Sequence, residues 1–276
     1  MSSGAVAVLT AAGSGSRLGA GYPKALVELA GCSLVGHAAS RLCATGEIEG
    51  LVVTAPAEHL ATFHAALAAA PGLTVPWQVV PGGTSRQASV AAGLAALDEA
   101  RDPASVYDVV LVHDAARPLA PPAMMRRIIF AVRSGHSAVV PGLAVTDTIK
   151  RVDAALPGSA VTVPAALGAT AHGTAAYGAA TPDVAGGVLL VAGTVDRTTL
   201  RAVQTPQGFA WDLLLRAHAA GAGRAGAEAT AATDDSALVE ALGESVWIVD
   251  GDARAMKITT SQDLALAQIL VQTEET

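Results

Sequence analysis

Aromatic residues are scarce, making up 3% of the 276-residue chain. A core built on them is excluded. The interior must be aliphatic and alanine-rich, drawn from the 51% of residues that are hydrophobic. Cysteine is nearly absent, with only Cys32 and Cys43. Two thiols without metal-ligand spacing cannot make a disulfide framework, so buried thiols in a reducing compartment are expected. Charged residues amount to 15%, which argues against a disordered or coiled-coil protein. The net charge of −7 leaves no basic face for nucleic acid, and an anion site has to be built locally against the global field. No long, uniformly apolar run suggests a membrane span. The longest weakly polar stretch, Ala154–Ala192, is broken by Pro157, Pro164, His172, Pro182 and Asp183. The N-terminal apolar stretch has no basic region before it and does not read as a signal peptide. A soluble cytoplasmic protein is expected.

Glycine is plentiful where chemistry is expected. Residues 11–24 read Ala-Ala-Gly-Ser-Gly-Ser-Arg-Leu-Gly-Ala-Gly-Tyr-Pro-Lys, directly after the apolar run Ala5–Thr10. A strand opening into such a loop presents bare backbone N–H groups to an anion, and Arg17 and Lys24 add full charges. The loop suits a polyphosphate. It is not the dinucleotide fingerprint, whose third glycine would stand at Leu18, nor a Walker loop, because Lys24 lies between Pro23 and Ala25. A tight strand-to-helix turn is the plainer alternative for the glycines, but a turn has no need of two cations.

Strands are expected at Ala5–Thr10, Gly50–Thr54, Thr74–Val80, Val106–His113, Ala138–Pro141 and Val246–Val249. Helices are expected at Ser33–Thr45, Ala57–Ala70, Ser85–Ala100, Pro121–Ser134, Trp211–Ala220, Asp234–Ala241 and Gln262–Gln272. Alternating β and α elements with apolar strands imply an α/β fold, a mostly parallel twisted sheet covered by helices. Ligands in such sheets sit beyond the carboxyl ends of strands. The glycine loop and His113-Asp114-Ala115-Ala116-Arg117-Pro118 would share that rim. One domain, 1–276, is expected. Residues 145–200 are expected to form a protruding β-arm with an Ala/Gly-rich insertion over 154–193, its β-like flanks Val145–Val152 and Val188–Val195 being able to pair as legs.

Asp114 can hold a divalent ion or a substrate hydroxyl, or simply cap a helix. Arg117 can grip a phosphate or stand in solvent. Pro81-Gly82-Gly83-Thr84-Ser85 joins a strand to a helix, and glycine there lets backbone approach a flat base. Ser85 reads equally as an N-cap. Thr233-Asp234-Asp235-Ser236 reads first as a capped helix start. Lys257 alone reads as an exposed lysine.

Together the motifs resemble the 2-C-methyl-D-erythritol 4-phosphate cytidylyltransferase family of the non-mevalonate isoprenoid pathway. The matching blocks are Ala11–Lys24, Pro81–Val90, Val112–Pro118, Thr146–Lys150, Val195-Asp196-Arg197, Gln204–Gln207, Thr233–Glu240 and Asp250–Thr260. The resemblance implies a Rossmann-like nucleotidyltransferase fold and transfer of a cytidylyl group from CTP to the acceptor phosphate, with Mg²⁺ and release of pyrophosphate. It implies that Arg17 and Lys24 stabilise the transition state, and that Arg197 and Lys257 position the acceptor phosphate. Ala12, Gly13, Gly83, Thr84, Ser89 and Ala115 would line the nucleoside side. Asp114, Arg117, Thr148 and Thr205 would line the acceptor side, Asp114 also being the metal candidate. It further implies a homodimer in which the arm carries Arg197 to the partner's site. Thr84 departs from the acidic residue often found at its position, and Ala255 from an asparagine. A cytidylyltransferase for another polyol phosphate, such as ribitol 5-phosphate, is the nearest alternative.

Overall fold

The computed structural model describes residues 3–13, 22–102, 106–152, 190–227 and 231–274. In chain order the strands are β1 (Ser3–Thr10), β2 (Glu28–Leu29), β3 (Cys32–Ser33), β4 (Ile48–Ala55), β5 (Trp77–Pro81), β6 (Val106–Asp114), β7 (Ala138–Ala144), β8 (Ile149–Val152), β9 (Val191–Val195), β10 (Arg201–Val203), β11 (Gln207–Ala210) and β12 (Trp247–Asp250). The α-helices are α1 (Leu34–Cys43), α2 (Leu60–Ala68), α3 (Arg86–Ala100), α4 (Pro122–Arg133), α5 (Trp211–Gly221), α6 (Asp235–Ala241) and α7 (Ser261–Glu274). Contacts divide the chain into two units, residues 1–143 with 202–276, and residues 144–201.

The first unit is built on a sheet of order β10-β7-β11-β6-β1-β4-β5, with β12 against β7. β1 runs parallel to both β4 and β6, β4 parallel to β5, and β7 parallel to β12. β11 runs antiparallel to β6 and β7. The sheet is therefore mixed and mostly parallel. β11 is not among the expected strands, because Pro206 and Gly208 break its apolar pattern.

Both faces of the sheet's centre are covered, which is why Ala5–Leu9 of β1, Leu51–Val53 of β4 and Val109–Val112 of β6 are apolar throughout. Along β1, Ala5, Ala7 and Leu9 join Phe63, Leu67, Met125 and Ile128 on one face. Val6 and Val8 join Val90, Leu94, Phe209 and Trp211 on the other. The same alternation runs through Val109–Val112 of β6. Fully burying each such Val or Leu contributes ~1.5–3 kcal/mol. α3 comes close to the sheet only because position 93 is glycine: a Cβ there would stand 2.5 Å from Val8 Cγ1. A third cluster joins Val27, Leu29, Leu34, Leu119, Ile258, Ala267 and Val271. It packs α7 against the β2–β3 hairpin and thereby brings the Lys257 turn beside the Lys24 turn.

The strand ends are stitched into one rim by backbone hydrogen bonds. Ala11 N–H donates to Thr54 O at 2.8 Å, Gly82 N–H to Ala55 O at 2.8 Å, Ala115 N–H to Thr10 O at 3.0 Å, and Ile258 N–H to Ala116 O at 2.8 Å. Sequence-distant loops are thus held edge to edge.

In the second unit β8 pairs antiparallel with β9, Ile149 opposite Val195. The insertion over 154–193 lies almost wholly outside the described residues. Cys32 and Cys43 are free thiols, half-buried rather than buried. Among the described residues no helix is long and apolar enough to cross a membrane.

Candidate active site

A cleft of about 600 Å³ opens at the carboxyl rim of the sheet. Ala12 and Gly13 line it after β1, Gly83, Thr84 and Ser89 after β5, and Asp114 and Ala115 after β6. Lys24 and Lys257 complete it. These segments converge because β1, β5 and β6 all lie in the parallel part of the sheet, so their exits face the same way. Arg17 falls in residues 14–21, outside the described residues.

The glycine turn after β5 fits its place tightly. A Cβ on Gly83 would stand 2.4 Å from Ala88 Cβ and 2.9 Å from the Ala88 carbonyl carbon. Only a glycine lets this loop lie against the first turn of α3. The Ser89 hydroxyl accepts from Gly83 N–H at 3.1 Å and donates to Ser85 O at 2.9 Å. Ser85 caps α3, accepting from Ala88 N–H at 3.0 Å, and also donates to Ala225 O at 2.8 Å. Thr84 donates to Gly226 O at 3.2 Å. Its hydroxyl is tied to the α5–α6 connection.

Charge is arranged around Asp114. Its Oδ2 accepts from Lys257 Nζ at 2.9 Å. Its Oδ1 accepts from Arg86 Nε at 3.3 Å and from the Thr10 hydroxyl at 3.3 Å. Burial disfavours the charged carboxylate, but the charges of Arg86 and Lys257, with Arg117 behind them, hold its pKa far below the usual carboxylate range. Asp114 is therefore an anion at any working pH. Lys24 Nζ donates to Ile258 O at 2.9 Å, which links the first loop to the Lys257 turn.

Two expected contact residues act from behind the cleft instead. Thr205 is buried, and its hydroxyl accepts from Asp114 N–H at 3.0 Å and stands 3.0 Å from His113 Nδ1. It is not among the cleft-lining residues; it fixes the end of β6. Arg117 donates to Ala255 O at 2.6 Å and to Val203 O at 3.4 Å, and it does not line the cleft either. Ala255 is fully buried, so its backbone carbonyl is the group it offers. Thr148 and Arg197 belong to the second unit. There Arg197 donates to Thr146 O.

Arg86 is a site residue that the sequence motifs do not single out. It stands at the first position of α3, lines the cleft, and pairs with both Asp114 and Asp235, the latter through Nη1 at 2.7 Å. A signal is present in the sequence, since a cation at a helix N-terminus opposes the macrodipole and calls for nearby carboxylates. Asp235 reads there only as part of a helix start. Asp234 is indeed the cap, accepting from Ala237 N–H at 3.0 Å. Asp235 turns inward.

The arrangement presents two lysines, an arginine and one buried anion to a single cleft. It can bind and polarise a polyphosphate. Among the described residues no group of three or more His, Cys, Asp or Glu side chains could hold a metal ion alone.

The family model for IspD, 2-C-methyl-D-erythritol 4-phosphate cytidylyltransferase, matches residues 5–184 and 180–273. The chain is 42% identical over 267 residues to the 2-C-methyl-D-erythritol 4-phosphate cytidylyltransferase of Rhodococcus jostii (strain RHA1), covering 97% of this chain and 95% of the relative. It is 43% identical to that of Nocardia farcinica (strain IFM 10152), covering 96% and 93%. The crystal structure of the Thermus thermophilus enzyme of the same name is similar, with a TM-score of 0.62 and 32% identity, covering 97% of this chain and 98% of that one.

Proposed function

The chain belongs to the 2-C-methyl-D-erythritol 4-phosphate cytidylyltransferase family, and we infer from this membership that it transfers a cytidylyl group from CTP to 2-C-methyl-D-erythritol 4-phosphate and releases pyrophosphate. The observation that carries this reading is the convergence of Lys24, Lys257, Ala12–Gly13 and the Gly83 turn on one cleft around Asp114.

The acceptor is a phosphate dianion and the donor a triphosphate. Their mutual repulsion is the first obstacle. Lys24, with Arg17, offsets the charge that builds toward the leaving pyrophosphate. Lys257, with Arg197, holds the acceptor phosphate. No general base is needed, because the attacking oxygen is already ionised. That agrees with the two described serines of the cleft, Ser85 and Ser89, serving as a helix cap and a loop tie. Gly83 and Ser89 take the base end, since a glycine turn lets backbone approach a flat ring. Thr205 and Arg117 support the acceptor side through Asp114 and the Ala255 turn.

A magnesium ion fits this donor set. Mg²⁺ is held by one or two carboxylates with water and substrate phosphates, and Asp114 supplies an ionised carboxylate in the cleft. Asp114 would hold the ion, which would supply Lewis-acid neutralisation of the substrate phosphates' charge.

Arg197 and Thr148, carried by the second unit, complete the site of a partner subunit, so the working form is a homodimer. The free thiols agree with a cytoplasmic setting. The test is pyrophosphate release by the purified protein with CTP, Mg²⁺ and either 2-C-methyl-D-erythritol 4-phosphate or ribitol 5-phosphate. Release with the first acceptor is expected. Release with ribitol 5-phosphate alone would overturn the acceptor assignment.

A further inference from the structure

Two carboxylates flank the Arg86 guanidinium, and only one of them lines the cleft. Asp114 receives Arg86 Nε on Oδ1 at 3.3 Å. Asp235 receives Arg86 Nη1 on Oδ2 at 2.7 Å. The other oxygen of Asp235 lies 2.9 Å from His218 Nε2, and His218 is itself buried. Asp235 is 1% exposed and takes no part in the reaction as described. An acid in the first turn of α6 suits the helix dipole. The dipole does not account for its burial against an arginine from another helix.

The geometry at Asp114 supplies a reason. An arginine facing a single carboxylate tends to take both of its oxygens in a fork. Here Asp235 occupies Nη1, and Arg86 meets Asp114 through Nε on one oxygen. The second oxygen, Oδ2, is left to Lys257 Nζ at 2.9 Å. We propose that Asp235 is a positioning residue for the cytidylyl transfer: by clamping Arg86 from behind, it keeps one carboxylate oxygen of Asp114 available to Lys257 and the substrates. The inference rests on the reading of this cleft as a cytidylyltransferase site. Burial opposes the charge of Arg86, but Asp235 and Asp114 outweigh it and raise its pKa above the ordinary arginine value. The clamp is thus charged on both sides throughout the working range. Asp235 fixes the Nη1 edge of the guanidinium; without it, a turn of Arg86 would bring Nη2 toward Oδ2 of Asp114 in competition with Lys257.

The test compares wild type, Asp235→Asn, Asp235→Glu, Arg86→Lys and the double variant Arg86→Lys/Asp235→Asn in steady-state pyrophosphate release. Turnover by the wild type comes first; its absence defeats the functional reading and not the clamp. For Asp235→Asn, kcat is expected to fall about tenfold or more, with the KM for CTP within about threefold of wild type, the pattern of lost transition-state alignment. Asp235→Glu, which keeps the charge, is expected to recover kcat to within about threefold of wild type. Because Arg86 and Asp235 act as one unit, the double variant should be within about twofold of the worse single one. A purely structural role would lower the melting temperature while leaving kcat per folded molecule unchanged. Wild-type kcat in a folded Asp235→Asn protein overturns the proposal, as do losses that multiply in the double variant. Should Asp235→Asn fail to fold, Arg86→Lys carries the test, because an ammonium cannot bridge two carboxylates in this geometry. Its kcat should fall with the KM for CTP preserved, and an unchanged kcat overturns the proposal.

Discussion

The rim of the sheet and the β8–β9 ladder present cations in opposite ways. At the rim, β6 is buried from Val109 to Asp114, and Asp114 at its end is met by Thr205 on its N–H and by Lys257 on its carboxylate. In the ladder, every residue of β8 is exposed, and so is Arg197 just beyond β9. The rim is preorganised by the burial of β6 and by hydrogen bonds: Asp114 is buried, Lys257 donates to it, and Lys24 donates to Ile258 O, so the three are placed before any substrate arrives. The ladder draws no such support from burial among the described residues. A cation carried there gains fixed geometry only from what it binds. If both regions serve one reaction, the rim should dominate turnover and the ladder should dominate acceptor use.

The largest expected effect lies at the rim. Lys24→Ala should lower kcat by ~10²–10³, the loss of one charge-stabilising donor worth ~3–4 kcal/mol, with a smaller change in KM for CTP. Steady-state kinetics measure it, and an unchanged kcat would break the contrast. The next is a stability effect of the buried rim. Burial pushes the His113 pKa down to about 4, Asp114 opposing and Arg117 assisting. The unfolded chain therefore takes up this proton near pH 6.5 while the folded one resists until about 4. Stability from this group is full above about pH 6.5 and is lost as pH falls toward about 4, by about 3 kcal/mol. Asp114 and Asp235, both held below their ordinary values, add to the loss at still lower pH. Urea titrations in metal-free buffer should show this slope, and His113→Asn should flatten it between about pH 6.5 and 4.

Arg197→Ala should act on the acceptor. A reduction of kcat/KM for methylerythritol phosphate equivalent to ~1.5–3 kcal/mol is expected, the range for a hydrogen bond to a charged group. Mixing this variant with Lys24→Ala should restore part of the activity, since heterodimers would hold one intact site. No restoration in confirmed heterodimers would separate the ladder from the site. The smallest effect sharpens the rim itself. Gly83→Ala forces the base loop away from Ala88 and should weaken CTP by on the order of tenfold, or ~1.4 kcal/mol, measurable by calorimetry.

The same contrast explains what the sequence disclosed. The buried strands and their helices are legible because apolar runs and caps are local signals; Ser85 and Asp234 cap the helices they are expected to start. The loops carrying Gly83, Asp114 and Lys24 are legible because parallel strands send their exits to one rim. β11 is not, because its pairing with β6 and β7 is long-range and its own surroundings include Pro206 and Gly208. Thr205 and Arg117 are expected on the acceptor side, yet their hydrogen bonds reach inward to His113, Asp114, Val203 and Ala255. Sequence spacing identifies that a polar residue sits near a strand end but not which way it turns. Arg86 and Asp235, from separate helices, form a pair that only packing brings together.

If the rim directs an acceptor phosphate onto the α-phosphorus of CTP, an oxygen of that phosphate must end up between the two phosphorus atoms of the product. Oxygen-18 placed in the phosphate of 2-C-methyl-D-erythritol 4-phosphate follows this atom, read by phosphorus NMR and mass spectrometry of the products. Label is expected in the diphosphate bridge of the cytidylyl product, with none in the released pyrophosphate. Label in the pyrophosphate, or a product lacking the bridge label, would refute attack by the acceptor phosphate.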